Sequence, residues 1–357
     1  MTATALVRSG RGILVADEGV PAMNARLASA GVPGTMENRR AYREMLVTTP
    51  YLAEGVSGVI VSEEAVRQRG LLAALADQEI LAGITVDAGT RPLAGAPGET
   101  VTEGLDGLRE RLGEYLALGA RFASWRAVFA VSDATPSWRA LRANAHALAR
   151  YAALCQEAGL VPVVEAEVLT GGAHTAARCA AVTTAALLSL FAEFRDFGVA
   201  MNAVVLAPAM VRPGDSSGET TAPLHVASQT VRSFTGIVPE QLAGIAFLSG
   251  SQDPDTATAN LAALQRVSAP WPMAFCFGRA LADPALTAWR GEPGRVRDGQ
   301  RALANRVARN LAALRGAYRP ADAEQYALAL PGRPDGHGRR HGRPRSRPGR
   351  DREPSAD

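Results

Sequence analysis

Eight short apolar runs, separated by stretches with helical spacing, constrain the fold of this chain more than any other sequence feature. Each run is rich in Val, Ile, Ala and Phe and shows little polar alternation, as expected of parallel strands that are covered on both faces. The runs lie at 12–17, 58–62, 82–87, 122–131, 160–168, 202–210, 243–250 and 272–280. Such alternation of strands and helices predicts an α/β protein.

The stretches between the runs carry helix signals. Leucines recur on one face of 105–119, which ends at a glycine, and residues 137–159 begin at Ser137 and end at Gly159. Serine is a common residue before a helix and glycine a common residue after one. Because no GxGxxG turn follows the first run, we prefer a closed (β/α)8 TIM barrel to a doubly wound sheet.

Length and composition fit one large domain followed by a tail. The chain has 357 residues, of which 47% are hydrophobic and 20% charged, as is typical of globular enzymes. We expect a single barrel domain over 1–320 and a C-terminal segment over 321–357. From about 331 that segment is rich in Arg, Gly and Pro, and such a composition predicts disorder.

The same sequence limits the partners and the location. The tail has no aromatic residues to stack on bases, so we expect no nucleic-acid partner. The N terminus lacks a signal peptide, and no uninterrupted apolar run approaches the ~20 residues of a membrane span, so we expect a cytoplasmic protein without a membrane partner. The three cysteines form no CxxC pair, which argues against disulfides and structural zinc. We expect no metal and no cofactor.

Polar residues stand where seven of the eight runs end, and in a TIM barrel the active site is built at the carboxyl ends of the strands. They are Asp17, Glu18, Glu63, Glu64, Asp87, Ser124, Arg126, Glu165, Glu167, Ser249 and Arg279. Converging carboxylates and guanidinium groups shift one another's pKa values, so this set predicts a proton-transfer site. The alternative is that these charges only neutralise one another inside the barrel.

The last two runs end in a second kind of motif, LSGS at 248–251 and FGRA at 277–280. Glycines expose backbone N–H groups, serine adds a hydroxyl donor, and arginine adds a bidentate cation. The motifs therefore predict a phosphate-binding site formed by Ser249, Gly250, Gly278 and Arg279. The alternative is that the glycines serve only tight turns.

Taken in order, these segments resemble the class I fructose-bisphosphate aldolase family. GRGILVADE, RFASWRAVF, GIAFLSGSQ and FGRAL match landmarks of that family, and the resemblance extends over about residues 8–320. It implies a (β/α)8 lyase of glycolysis that forms a Schiff base with a sugar phosphate. The family commonly forms tetramers, so we expect a homo-oligomer.

The resemblance also assigns roles to individual residues. It implies that Asp17 orients the sugar and handles protons, and that Glu165 is the general acid–base residue. Glu167, Arg126 and the substrate-binding Arg26 match as well. Ser249, Gly250, Gly278 and Arg279 fall on the family's site for the ketone-side phosphate.

The chain departs from the family because it contains no lysine; all 38 basic residues are arginine. Guanidinium stays protonated and cannot form a Schiff base. The resemblance places Ala207 at the Schiff-base lysine, and Ser124 and Thr85 at two further lysines, which excludes the covalent route. The resemblance also places Gly19 and Ala22 where the family has hydroxyl residues that bind the second phosphate, and neither residue has a hydroxyl group. Codon drift and selection for an amine-free protein are both open explanations for the missing lysine.

Two functions therefore stay open. The first is an aldolase-like enzyme that acts on a small carbonyl or singly phosphorylated sugar-type substrate through Asp17, Glu165 and Glu167, with Arg126 or Ser124 stabilising enolate charge. The second is a catalytically inactive relative that binds a sugar phosphate or a protein partner. A metal-dependent enzyme is the weakest alternative, because the histidines lie away from the strand ends.

Overall fold

Eight parallel strands close into a barrel in a computed structural model that describes residues 2–7, 10–68 and 70–320. The barrel strands are β1 Gly12–Ala16, β2 Val56–Val61, β3 Leu81–Thr85, β6 Phe122–Phe129, β7 Val161–Val168, β8 Val205–Pro208, β9 Gly244–Leu248 and β10 Met273–Phe277. Around the barrel their order is β1-β10-β9-β8-β7-β6-β3-β2. Since every pair is parallel, all carboxyl ends open on the same face.

Each of the eight apolar runs forms one strand, which confirms the predicted TIM barrel. A small antiparallel sheet was not predicted; it pairs β4 Thr90–Pro92 with β5 Thr100–Thr102. Its strands are three residues long, and β4 is exposed throughout, so they lack the apolar pattern that marks the barrel strands. The predicted C-terminal segment, residues 321–357, lies outside the described residues.

Helices surround the barrel. They are α1 Thr2–Val7, α2 Val20–Ser29, α3 Met36–Val47, α4 Leu52–Gly55, α5 Glu63–Val66, α6 Leu71–Ala76, α7 Leu108–Leu118, α8 Trp138–Glu157, α9 Ala176–Asp196, α10 Pro223–Phe234, α11 Pro254–Leu264, α12 Arg279–Trp289 and α13 Val296–Leu314. The two predicted helices are α7 and α8. Gly119 ends α7 at φ +109°, and the Ser137 hydroxyl accepts a hydrogen bond from Ala140 N–H at 3.3 Å to begin α8.

By length and composition alone, α9 could cross a membrane. In this fold it packs beside α8 and against β7, and its buried residues include Cys179, Leu187 and Phe194. Arg178 and Glu193 interrupt its apolar residues, so it is not an uninterrupted apolar run of the kind that marks a membrane span. Its length and hydrophobicity are those of a helix that covers the barrel.

The amino-terminal end of the barrel is closed by α1 and by the Phe122 ring. Leu6 of α1 is buried in the same interior cluster as Phe122, and its carbonyl accepts a hydrogen bond from the Ser57 hydroxyl at 2.7 Å. The Phe122 ring lies so close to Gly83 that a Cβ added there would be 2.2 Å from it. Only glycine fits at position 83 while Phe122 keeps its place.

Gly83→Ala is therefore expected to destabilise the barrel by about 1–3 kcal/mol, because overpacking a core displaces its side chains. Chemical denaturation of the purified variant measures this change. The matched control is Gly113→Ala in α7, where an added Cβ meets no atom within 4 Å; alanine should be neutral or stabilising there, by up to about 1 kcal/mol. Equal stabilities of the two variants would contradict the packing argument.

Candidate active site

The predicted site residues lie at the carboxyl ends of the barrel strands, on the side of each strand that faces the barrel interior. Alternate residues of a strand face the same side, and Val163 of β7 and Cys276 of β10 are buried in the barrel interior. Two residues further along, Glu165 and Gly278 lie at the carboxyl edge. The site is therefore a continuation of the barrel interior.

A pocket of about 950 Å3 opens at this edge. The predicted residues in its walls are Asp17, Glu18, Arg26, Arg126, Glu165, Glu167, Ser249, Gly250, Gly278 and Arg279. Its walls also contain Ser251, Cys276, Asp283 and Arg290. The structure thus brings four of the predicted acids and the predicted phosphate-binding residues into one pocket, whereas Asp87 does not line it.

Ala207 and Ser124 are fully buried and are not among the lining residues. Ala207 is the register partner of Glu165 across β7 and β8. It also belongs to the same buried cluster as Cys276, which lines the pocket. A methyl group therefore stands beside Glu165, under the pocket, at the position that the resemblance assigns to the Schiff-base lysine.

Two hydroxyl groups hold Asp17. The Thr85 hydroxyl donates to Asp17 Oδ2 at 2.5 Å, and Thr85 Oγ1 lies 2.9 Å from Ser124 Oγ. Both hydroxyl residues occupy positions that the resemblance assigns to lysines. Asp17 consequently has a neutral hydrogen-bond donor at Thr85.

The two innermost acids have raised pKa values. Burial raises the pKa of Asp17 to about 6, against the opposing effect of the Thr85 hydrogen bond. Burial, followed by the Asp17 charge, raises the pKa of Glu165 to about 8. Near neutral pH, Asp17 is therefore mostly ionised and Glu165 mostly protonated, which gives one pocket both a base and an acid.

An ion pair joins Arg126 to Glu167. Arg126 Nε donates to Glu167 Oε2 at 2.5 Å, and the Arg126 backbone N–H donates to Asp87 Oδ2 at 3.2 Å. The Arg126 side chain is 51% exposed while that of Glu167 is 10% exposed. Arg126 thus has a fixed backbone and a guanidinium that can reach a ligand in the pocket.

The predicted phosphate-binding residues come from two segments, one after β9 and one at the start of α12. Gly250 and Ser251 adopt φ of +53° and +60°, and Arg279 donates to the Ser251 hydroxyl at 3.1 Å. Gly278 precedes the first turn of α12, whose free N–H groups favour anions. Together with Ser249, these residues form what we call the anion cradle: Ser249, Gly250, Ser251, Gly278 and Arg279.

The two acids after the second run do not join the pocket. Glu64 lies 2.6 Å from the guanidinium nitrogens of both Arg39 and Arg43, and the hydrogen bond from Arg39 leads the effects that lower its pKa to about 2. Glu63 pairs with Arg67 on the surface at 3.1 Å. These two acids neutralise neighbouring arginines outside the barrel interior.

Arg26 lines the pocket, but two carboxylates already hold its guanidinium. Glu18 is one of them, and Asp283 of α12, which was not predicted, is the other. Asp283 lies inside α12, three residues after the eighth apolar run ends, so the strand-end pattern missed it. A usable signal existed, because Asp283 follows Arg279 by four residues and residues four apart share a helix face.

The Cys276 side chain is buried in the pocket wall. Burial raises the pKa of the Cys276 thiol well above its usual range, so the thiol stays protonated and is a poor nucleophile. Across residues 2–7, 10–68 and 70–320, no group of three or more His, Cys, Asp and Glu side chains could hold a metal ion.

The fold and the pocket define a (β/α)8 barrel protein with acids and an anion cradle at the carboxyl ends of its strands. A family model described as fructose-bisphosphate aldolase class-I matches residues 1–329. The chain belongs to the class I fructose-bisphosphate aldolase family, a family of lyases.

Individual relatives agree with this assignment. A probable fructose-bisphosphate aldolase class 1 of Xanthomonas campestris pv. campestris is 46% identical over 321 residues, which cover 88% of this chain and 96% of that protein. Cytosolic fructose-bisphosphate aldolase 6 of Arabidopsis thaliana is 43% identical, with 87% and 88% covered. A solved structure of the Plasmodium falciparum aldolase, in complex with TRAP and a small-molecule inhibitor, superposes with a TM-score of 0.88 at 36% identity and covers 89% of this chain and 94% of that chain.

Proposed function

We propose that this protein is an aldolase-like enzyme that transfers protons on a singly phosphorylated carbonyl compound without an enzyme-bound imine. One observation carries the proposal: Asp17 and Glu165 share a pocket with the anion cradle. A phosphate on Arg279 and Ser249 would leave the rest of a small substrate facing the two acids. The relatives, named as fructose-bisphosphate aldolases, support aldolase chemistry on a sugar phosphate.

The acids can form and use an enediol in balanced steps. The Asp17 carboxylate takes the proton from the carbon beside the carbonyl, that electron pair forms a C=C bond, and the carbonyl oxygen takes the proton of Glu165. The enediol carbon then attacks an aldehyde carbon. The new alkoxide takes the proton from Asp17, the enediol hydroxyl returns its proton to Glu165, and both acids regain their starting states.

Arg126 supplies the electrostatic part of this proposal. In a Schiff-base aldolase the imine withdraws electrons, whereas here the developing enolate charge needs a nearby donor. Preorganised donors in a water-poor site are the strongest known means of stabilising such charge. Arg126 lines the pocket beside Glu165 and Glu167 of β7 and is paired with Glu167. It can therefore supply this donor.

Deuterium incorporation into dihydroxyacetone phosphate in D2O, followed by NMR, tests the proposal without requiring the second substrate. We expect deuterium at the hydroxymethyl carbon that bears no phosphate, since that carbon would face the acids. Dihydroxyacetone, which lacks the phosphate, should exchange far more slowly. Absence of enzyme-dependent exchange with dihydroxyacetone phosphate would contradict the proposed reaction.

A catalytically inactive binding protein is the second candidate, with a sugar phosphate or a protein partner as its ligand. The buried methyl group of Ala207 favours it, because the residue that does the covalent chemistry elsewhere in the family is gone. Measuring binding and deuterium exchange together distinguishes the enzyme from the binding protein. Calorimetric binding of dihydroxyacetone phosphate together with absent deuterium exchange would favour the binding protein.

The exchange rate should show a maximum near neutral pH. Asp17 must be ionised, so the rate rises as pH passes its pKa of about 6. Glu165 must be protonated, so the rate falls as pH passes its pKa of about 8. Thr85→Val removes a hydrogen bond that favours the ionised Asp17, and should move the acidic limb to higher pH. A profile that is flat between about pH 5 and about pH 9 would contradict these roles.

Location and assembly are further parts of the proposal. We propose a cytoplasmic protein, in line with plant relatives whose names describe cytosolic or cytoplasmic isozymes. The homo-oligomer stays a prediction that sedimentation velocity can test.

A further inference from the structure

A group of three charges, Glu18, Arg26 and Asp283, lies in the pocket wall. Arg26 Nε donates to Asp283 Oδ1 at 3.0 Å, and Arg26 Nη2 lies 2.7 Å from the same oxygen. Arg26 Nη1 donates to Glu18 Oε1. The guanidinium, 10% exposed, also lies 5.5 Å from the centre of the Tyr42 ring. Each of the three Arg26 guanidinium nitrogens therefore lies against a carboxylate oxygen of Glu18 or Asp283.

This arrangement makes the group net negative. Two carboxylates face one guanidinium, which leaves one negative charge. The side chains of Arg26 and Glu18 are 10% and 20% exposed, whereas that of Asp283 is 49% exposed, so salt screens the charge of Asp283 more than the other two. A phosphate placed on Arg26 would meet that charge and would have to displace an ion pair. Gly19 and Ala22 nearby bring no hydroxyl that could offset the loss. This part of the pocket is thus unsuited to a second phosphate.

Helix α12 connects this group to the anion cradle. Gly278, which precedes the helix, and Arg279, which begins it, belong to the cradle, and Asp283 lies one turn further along the same helix. Arg290, at the other end of α12, also lines the pocket but is exposed, and its Nε donates to the Thr287 carbonyl at 3.3 Å. The helix therefore attracts an anion at its start and repels one at its second turn.

We infer that Asp283 is a specificity-determining residue that restricts the substrate to a monophosphate whose other end is uncharged. The inference rests on the proposed function, because the cradle is taken to hold the single phosphate. In the aldol direction, the second reactant is then an aldehyde without a phosphate. Asp283 acts by occupying Arg26 and by adding its own negative charge.

The test compares two ligands that differ by one phosphate and lack a carbonyl group, glucitol 6-phosphate and glucitol 1,6-bisphosphate. Calorimetry with the wild-type protein should give a lower affinity for the bisphosphate than for the monophosphate. Asp283→Ala should bind the bisphosphate about tenfold more tightly, because like charges at a binding site oppose association, and should bind the monophosphate as the wild type does. Asp283→Asn keeps the side-chain shape and should change in the same direction.

Asp298→Asn is the matched control, since it removes the same charge from α13, where Asp298 pairs with Arg301 at 3.2 Å on the surface. It should leave both affinities unchanged. The inference is overturned if neither Asp283 variant gains bisphosphate affinity, or if the wild type already prefers the bisphosphate. Failure of the wild type to bind glucitol 6-phosphate would instead contradict the cradle of the proposed function, and the role of Asp283 would still be decided by the bisphosphate affinities of the variants.

Discussion

Glu165→Gln is expected to slow deuterium exchange into dihydroxyacetone phosphate by about 10²–10⁴-fold, the usual contribution of a positioned general acid or base. The amide keeps the size of the side chain and its place beside Ala207 but cannot give or take the proton. Affinity for the ligand should stay close to that of the wild type, because the phosphate lies in the anion cradle. Exchange by NMR and binding by calorimetry separate the two effects.

Glu99→Gln is the matched control for this variant. Glu99 is also a buried glutamate, 7% exposed, but its carboxylate accepts a hydrogen bond from the Ser137 N–H outside the pocket. A Gln carbonyl can accept the same hydrogen bond, so exchange should continue at the wild-type rate. An exchange rate for Glu165→Gln equal to that of this control would remove the role proposed for Glu165.

Arg279→Ala is expected to weaken the binding of dihydroxyacetone phosphate by about 10–100-fold, because a hydrogen bond to a charged group contributes about 1.5–3 kcal/mol. Arg279 is the cationic member of the anion cradle, and its hydrogen bond to Ser251 aims it at that loop. Calorimetry measures the loss, and the affinity of dihydroxyacetone, which has no phosphate, should not change.

Arg232→Ala removes the same charge from an exposed position on α10 and serves as the control. Its effect on ligand affinity should be small. If the Arg279 and Arg232 variants bound dihydroxyacetone phosphate equally well, the phosphate would have to lie elsewhere, and the proposed orientation of the substrate would be wrong.

The loss of lysine changes the chemistry of the acids that stay behind. A nearby ammonium group lowers the pKa of a carboxyl group, and burial without such a cation raises it. Thr85 and Ser124 are neutral, and Ala207 brings only a methyl group against Glu165. The pKa values of about 6 for Asp17 and about 8 for Glu165 follow from this setting. In the proposed function, these two acids transfer protons near neutral pH without a covalent intermediate.

The amino-acid sequence by itself determined the barrel and the place of its site. Eight apolar runs without polar alternation can be buried on both faces only as parallel strands between helices, and the carboxyl ends of such strands meet at one edge. Asp17, Glu165 and Gly278 each stand at the end of such a run, so their convergence in one pocket follows from the local pattern.

Only the tertiary structure decided which charge pairs with which. Arg26 and Asp283 are 257 residues apart in the chain, and Glu64 could not be separated from the pocket acids before Arg39 and Arg43 were seen to hold it. The same is true of the hydroxyl group that Thr85 presents to Asp17. Hydrogen bonds and ion pairs depend on distances of a few ångströms and on burial, and the closure of the barrel sets both.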